Sequence, residues 1–128
     1  MKQILIDTNF YTEIMRGSLD VKKTMRQSEK IFMCPIVIGE LLYGFKNGNK
    51  EKKNIEQLNQ FLSLSSVETL LITPNTSEFF ALIIQQLKKA GTPIPTNDLW
   101  IAASAMEHGL AVATMDRHFK KIVNLMLV

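Results

Sequence analysis

Ile4-Leu5-Ile6-Asp7-Thr8-Asn9 sets three apolar residues directly against an acid, a hydroxyl and an amide. A short, fully apolar run bounded by polar turn-formers reads as a buried strand of a parallel sheet. In open α/β sheets, functional groups collect just beyond the carboxyl ends of the strands. Asp7 stands at such an end. On its own it reads equally as the cap of a following helix.

Outward from this stretch, strand and helix patterns alternate. Phe10 and Ile14 share a helical face, with Gly17 as a C-cap. Ser18 is suited to cap a helix over Leu19 to Gln27, whose wet side carries Lys22, Lys23 and Arg26. Ile31 to Cys34 is a second short strand. Pro35 fits the first position of a helix running to Phe45, although Ile36 to Ile38 also allows a β reading. Residues 50–64 form an amphipathic helix with Ile55, Leu58, Phe61 and Leu62 on one face. Val67 to Ile72 is a third strand. Asn75 to Ala90 is a helix, with Asn75 and Glu78 at capping-box spacing and Gly91 at its end. Thr96 or Asn97 caps a helix from Asp98 to His108, closed by Gly109. Leu110 to Thr114 is a fourth strand, and Val123 to Val128 is an expected edge strand. The expectation is one α/β domain over residues 1–128, with a short, mainly parallel sheet of four to five strands.

Composition agrees with a packed core. Of 128 residues, 46% are hydrophobic and 21% charged, which argues against wholesale disorder. No apolar run reaches the ~18 residues of a membrane span. The first strand is too short for the apolar core of a signal peptide, so the protein is read as cytoplasmic. The single cysteine, Cys34, allows no internal disulfide and reads as a small core residue. The net charge of +3 permits a nucleic-acid partner without requiring one.

Four carboxylates have similar settings. Asp7 ends the first strand, and Glu40 is the one charge between Cys34 and Phe45. Asp98 lies in the first turn of a helix that continues Leu99-Trp100-Ile101, and Asp116 follows the fourth strand. Parallel connections bring all four to one edge of the sheet. Carboxylates held together repel, and burial drives some of them to take up protons. A divalent cation reverses that penalty. Mg²⁺ and Mn²⁺ favour carboxylates, waters and phosphates, and at phosphorus they activate water and stabilise in-line displacement. Thr8, Asn9 and Thr114 are placed to support such acids. No His or Cys cluster has zinc spacing, and no Gly-rich phosphate loop is present. Singly, each acid has a structural explanation: Asp7 as a cap, Asp98 as a helix-dipole partner and Asp116 as a turn residue. Glu40 has the weakest, since a carboxylate in an apolar helix is costly unless exposed or paired.

Four segments in order carry a family resemblance: Ile4-Leu5-Ile6-Asp7-Thr8-Asn9, Gly39-Glu40-Leu41-Leu42-Tyr43-Gly44, Asn97-Asp98-Leu99-Trp100-Ile101-Ala102-Ala103 and Thr114-Met115-Asp116-Arg117-His118-Phe119. Over nearly its whole length the chain resembles PIN domains, especially the small VapC-like toxins of type II toxin–antitoxin pairs. The resemblance implies a three-layer α/β/α fold and an endoribonuclease dependent on Mg²⁺ or Mn²⁺. It assigns Asp7, Glu40, Asp98 and Asp116 to metal binding and catalysis, supported by Asn9 and Thr114. It implies an RNA substrate such as tRNA or rRNA, a cognate VapB-like antitoxin and a homodimer. One departure is Val37, where relatives often carry Ser or Thr three residues before the glutamate.

RNA is a polyanion, so an acidic site needs basic flanks. Arg16, Arg117 and His118 are candidates for substrate contact, with Lys46, Lys50, Lys52, Lys53, Lys120 and Lys121 as wider flanks. The lysines also read as ordinary solvated positions, and Arg117 as an ion-pair partner of Asp116. Trp100 is expected in the core or at a dimer interface. Two other functions compete. One is a PIN nuclease acting in RNA processing or on DNA structures without an antitoxin; the discriminator is the neighbouring reading frame, where a short upstream gene for a DNA-binding antitoxin would favour the toxin. The other is a non-catalytic receiver-like signalling domain. That fold wants adjacent acids after the first strand, where this chain has Thr8-Asn9.

Overall fold

A computed structural model describes residues 2–128. The chain runs β1 (Lys2–Ile6), α1 (Thr8–Arg16), α2 (Leu19–Gln27), β2 (Ser28–Met33), α3 (Pro35–Lys46), α4 (Glu51–Leu62), β3 (Val67–Thr69), α5 (Pro74–Ala90), α6 (Thr96–His108) and β4 (Ala111–Ala113). A 3₁₀ turn over Arg117–Lys121 follows β4. The strands form one sheet in the order β3-β2-β1-β4, and every neighbouring pair is parallel. Among the described residues six helices flank it.

The apolar run of β1 lies inside the sheet between β2 and β4, and Ile4, Leu5 and Ile6 are fully buried. Both faces of β1 are therefore covered, which is why its sequence does not alternate. Ala102, Ala103, Ser104 and Ala105 are buried too, and their small side chains let α6 lie close to its neighbours. Cys34 is a core residue, 3.6 Å from the Ser104 hydroxyl, and burial pushes its thiol pKa up. On α6, the Trp100 ring stacks on Phe80 of α5 with centroids 4.1 Å apart. Gly17 and Gly109 close α1 and α6 in the left-handed region, at φ 78° and 65°, where a Cβ is disfavoured.

Several boundaries differ from expectation: β2 starts earlier, at Ser28, β4 covers only Ala111–Ala113, and four further differences have a local reason. β3 stops at Thr69 instead of reaching Ile72. Its partner β2 ends at Met33, whose carbonyl takes a last bond from the Leu70 amide at 2.8 Å, and α3 then carries the chain away. α5 begins at Pro74, so Thr73 is the cap residue, and the Thr76 hydroxyl accepts from the Thr73 amide at 3.1 Å. Asn75 does not cap the helix; its side chain donates to Glu107 at 3.0 Å. α6 begins at Thr96 with Pro95 in the cap position, so neither Thr96 nor Asn97 caps it, and the Asn97 side chain donates to Glu40 instead. The tail makes a single parallel bridge between Val112 and Leu127, not a strand, since Asn124 at φ 67° breaks the extended run.

Tyr11 presents a testable imbalance. It is buried, its ring meets Phe61 edge-on at 5.3 Å, and its hydroxyl has no protein partner among the described residues. A buried polar group without a partner carries its full desolvation cost. Tyr11→Phe is expected to raise stability by about 1 kcal/mol. Urea unfolding checks this as a higher midpoint at unchanged slope. A lower midpoint would show that the hydroxyl has a partner.

Candidate metal centre

The all-parallel sheet sends the carboxyl ends of its strands to one edge. There β1 delivers Asp7, β4 leads to Thr114 and Asp116, the second turn of α3 presents Glu40 and the first turn of α6 presents Asp98. These four acids line one cavity of about 160 Å³ together with Thr8, Asn9 and Ile101.

Asp7 has two structural commitments. One carboxylate oxygen caps α1 by accepting from the Phe10 amide at 2.9 Å, and the other accepts from the Thr114 hydroxyl. It is only 5% exposed, and burial pushes its pKa up. The bonds from Thr114 and Phe10 oppose that rise, while the charges of Asp116 and Glu40 add to it. The helix cap and the site residue are thus one side chain.

Glu40 is paired. The Thr8 hydroxyl donates to Oε1 at 2.6 Å, and the Asn97 amide donates to Oε2 at 3.2 Å. Val37 is fully buried and supplies no such bond. The support expected from Glu40's own helix comes instead from α1 and α6. Asn97 was expected only as a cap. Its position beside Asp98 was the signal for a role at the site. Ile101 was not expected at all, although it lies one turn after Asp98 on the same helix face.

Asp98 and Asp116 meet across His118. The His118 Nδ1 lies 3.0 Å from Asp98 Oδ2 and 3.0 Å from Asp116 Oδ1. Asp116 Oδ1 also accepts from the His118 amide at 2.9 Å, and the Asp116 amide donates to the Thr114 hydroxyl at 2.9 Å. Burial raises the Asp98 pKa, opposed by His118 and reinforced by Asp116 and Glu40. One donor atom from each of Asp98, Asp116 and His118 falls within a 4.8 Å sphere of mutual separation.

The other basic candidates stand apart from the cavity. Arg16 pairs with Glu13 at 2.8 Å and borders a separate groove beside α3 and α4. Arg117 is exposed on the 3₁₀ turn, and Lys46 pairs with Glu51 at 3.1 Å. Four acids around one small cavity, two of them driven toward protonation, are what a hard divalent cation with oxygen ligands offsets. The donor set fits Mg²⁺ or Mn²⁺.

The PIN domain family model matches residues 4–125. The chain is 32% identical over 124 residues to Ribonuclease VapC1 of Rickettsia felis, covering 95% of this chain and 92% of that protein. Ribonuclease VapC2 of Haemophilus influenzae is 29% identical over 128 residues, at 98% and 96% coverage. In structure, the chain is similar to a chain of VapBC2 from Rickettsia felis bound to a promoter DNA fragment. The TM-score there is 0.87 at 25% identity, with 98% of this chain and 97% of that one covered. FitAcB of Neisseria gonorrhoeae superposes with a TM-score of 0.77 at 26% identity, over 97% and 95% of the two chains. With this sheet order, these four acids and a match over nearly the full length, the chain belongs to the PIN-domain family.

Proposed function

We propose that the protein is a divalent-metal-dependent endoribonuclease, the toxin of a toxin–antitoxin pair held inactive by a VapB-like antitoxin. The observation that carries this is the convergence of Asp7, Glu40, Asp98 and Asp116 on one cavity. The ribonuclease relatives and the toxin–antitoxin complexes among similar structures support it. Mg²⁺ or Mn²⁺ held by the four acids supplies Lewis-acid polarisation of the scissile phosphate and a water of lowered pKa.

The chain's own residues hold this arrangement still. Thr8 and Asn97 fix both oxygens of Glu40, and Thr114 fixes Asp7 while receiving the Asp116 amide. Asn9, exposed at the cavity mouth, orients a water or a phosphate oxygen. Arg117, exposed and adjoining Asp116, brings positive charge to the RNA backbone. The substrate class is structured RNA such as tRNA or rRNA, cut in the cytoplasm. The working form is a homodimer. No helix among the described residues is long and apolar enough to cross a membrane.

The test has two arms. Purified protein is expected to cut RNA with Mg²⁺ or Mn²⁺ and to stop in EDTA. Sequencing of RNA 5′ ends after induction is expected to show discrete new ends for wild type that Asp98→Ala lacks. Undiminished cleavage in EDTA, or identical ends from both proteins, overturns the proposal.

A further inference from the structure

We infer that His118 is a direct nitrogen ligand of the bound ion and that it tilts the site toward Mn²⁺ over Mg²⁺. The inference deepens the proposed metal-dependent activity and rests on it. It reassigns a side chain that sequence reading placed at the substrate.

Geometry carries the assignment. Donors held at ~2.1 Å around an octahedral ion lie about 3.0 Å apart when they are neighbours. The His118 Nδ1 stands 3.0 Å from Asp98 Oδ2 and 3.0 Å from Asp116 Oδ1, the spacing of neighbouring donors on such an octahedron, and all three atoms lie within 4.8 Å of one another. The backbone that carries the ring is fixed. Asp116 Oδ1 captures the backbone amide of His118 at 2.9 Å, and the next residue, Phe119, is buried to 1% exposure. Backbone and core fix where the residue starts, and the two carboxylates hold its part-exposed ring. The groups facing it are Asp98 from α6 and Asp116 from the segment after β4, so every charged neighbour it touches is itself a candidate ligand.

Chemistry then sets the preference. Mg²⁺ is a hard ion that favours carboxylate and water oxygens, whereas imidazole nitrogen gains affinity along the first transition row. A site of four carboxylates alone discriminates weakly between Mg²⁺ and Mn²⁺. Replacing one oxygen or water by the His118 nitrogen favours Mn²⁺. His118→Gln is expected to lower Mn²⁺ affinity about tenfold or more while changing Mg²⁺ affinity less than about twofold.

The experiment is pulsed EPR of Mn²⁺ added below stoichiometry to the full-length, metal-free protein, with calorimetric titration of Mn²⁺ and Mg²⁺ alongside. Wild type is expected to show a directly bonded nitrogen. The coupling should change isotope pattern in protein grown on ¹⁵N-histidine and vanish in His118→Gln. The chain has two histidines, and the variant separates His118 from His108. Mn²⁺ that binds wild type and is lost in Asp98→Asn, yet shows no histidine nitrogen, overturns this inference alone. So does an unchanged Mn²⁺ to Mg²⁺ affinity ratio in His118→Gln. Absence of any ion binding, with RNA cleavage that persists in EDTA, overturns the metal-dependent reading and this inference with it. Isotope labelling tests the unaltered protein, so a misfolded variant leaves the question decidable.

Discussion

Asp7→Asn is expected to lose RNA cleavage on the order of a thousand-fold, the scale seen when a preorganised electrostatic group is removed from an active site. The same variant, free of metal, melts higher than wild type at pH 7. The first effect follows from removing a charge that the ion needs. The second follows from what that charge costs without the ion. Asn caps helices as well as Asp, so the bond to the Phe10 amide survives. The Asp7 pKa is raised by burial above its ordinary value. An acid of that kind binds its proton more tightly folded than unfolded. Its contribution to stability is present below the unfolded pKa, near 4, and is lost as pH rises toward the raised folded value. Asp98 acts in the same direction. Melting followed from pH 4 to 8 in EDTA should show wild type falling below Asp7→Asn as pH rises, with the gap closing near pH 4. Adding Mn²⁺ should reverse the order, because the ion stabilises only the form that binds it. A variant that melts well below wild type at pH 7 would make Asp7 a structural residue first.

Thr114→Val is expected to reduce cleavage between about tenfold and a hundredfold, the usual range for a group that orients a metal ligand. The two side chains have nearly the same shape, but Val has no hydroxyl. Wild-type Thr114 donates to Asp7 and accepts from the Asp116 amide, so one oxygen ties together two of the four acids. Its removal strips Asp7 of the hydrogen bond that opposes its raised pKa, and the acid moves higher. The acidic limb of the pH–rate profile should therefore shift toward higher pH, with part of the lost activity regained there. Thr114→Ser, which keeps the hydroxyl, should stay near wild type. Equal damage from both substitutions would point to the methyl group and to packing instead.

Much of this arrangement was legible because strong local patterns agree with the tertiary structure. Ile4-Leu5-Ile6 is apolar throughout and lies inside the sheet. Gly17, Gly91 and Gly109 end helices where the periodicity stops. The acids could be grouped because a parallel sheet gives each strand's carboxyl end the same address. What was not legible depends on partners distant in sequence. Leu71 and Ile72 continue an apolar run, yet Leu71 is 75% exposed because β2 offers no more backbone to pair with. Thr8 and Asn97 are ordinary helix-start residues by type. Only the approach of α1, α3 and α6 makes both of them partners of Glu40. His118 was assigned by its place beside Asp116, but its contact with Asp98 spans twenty residues and no periodicity encodes it.

The order of the sheet also bears on how the protein is made. β1 is synthesised well before its neighbour β4. Thr114 reaches Asp7 across 107 positions of chain. A ribosome that has not yet released the C-terminal segment therefore holds a polypeptide with two acids of the site missing their counterparts. Asp7 lacks Thr114, and Asp98 lacks His118 and Asp116. During translation these carboxylates stay without their partners until the segment from Thr114 to His118 has emerged.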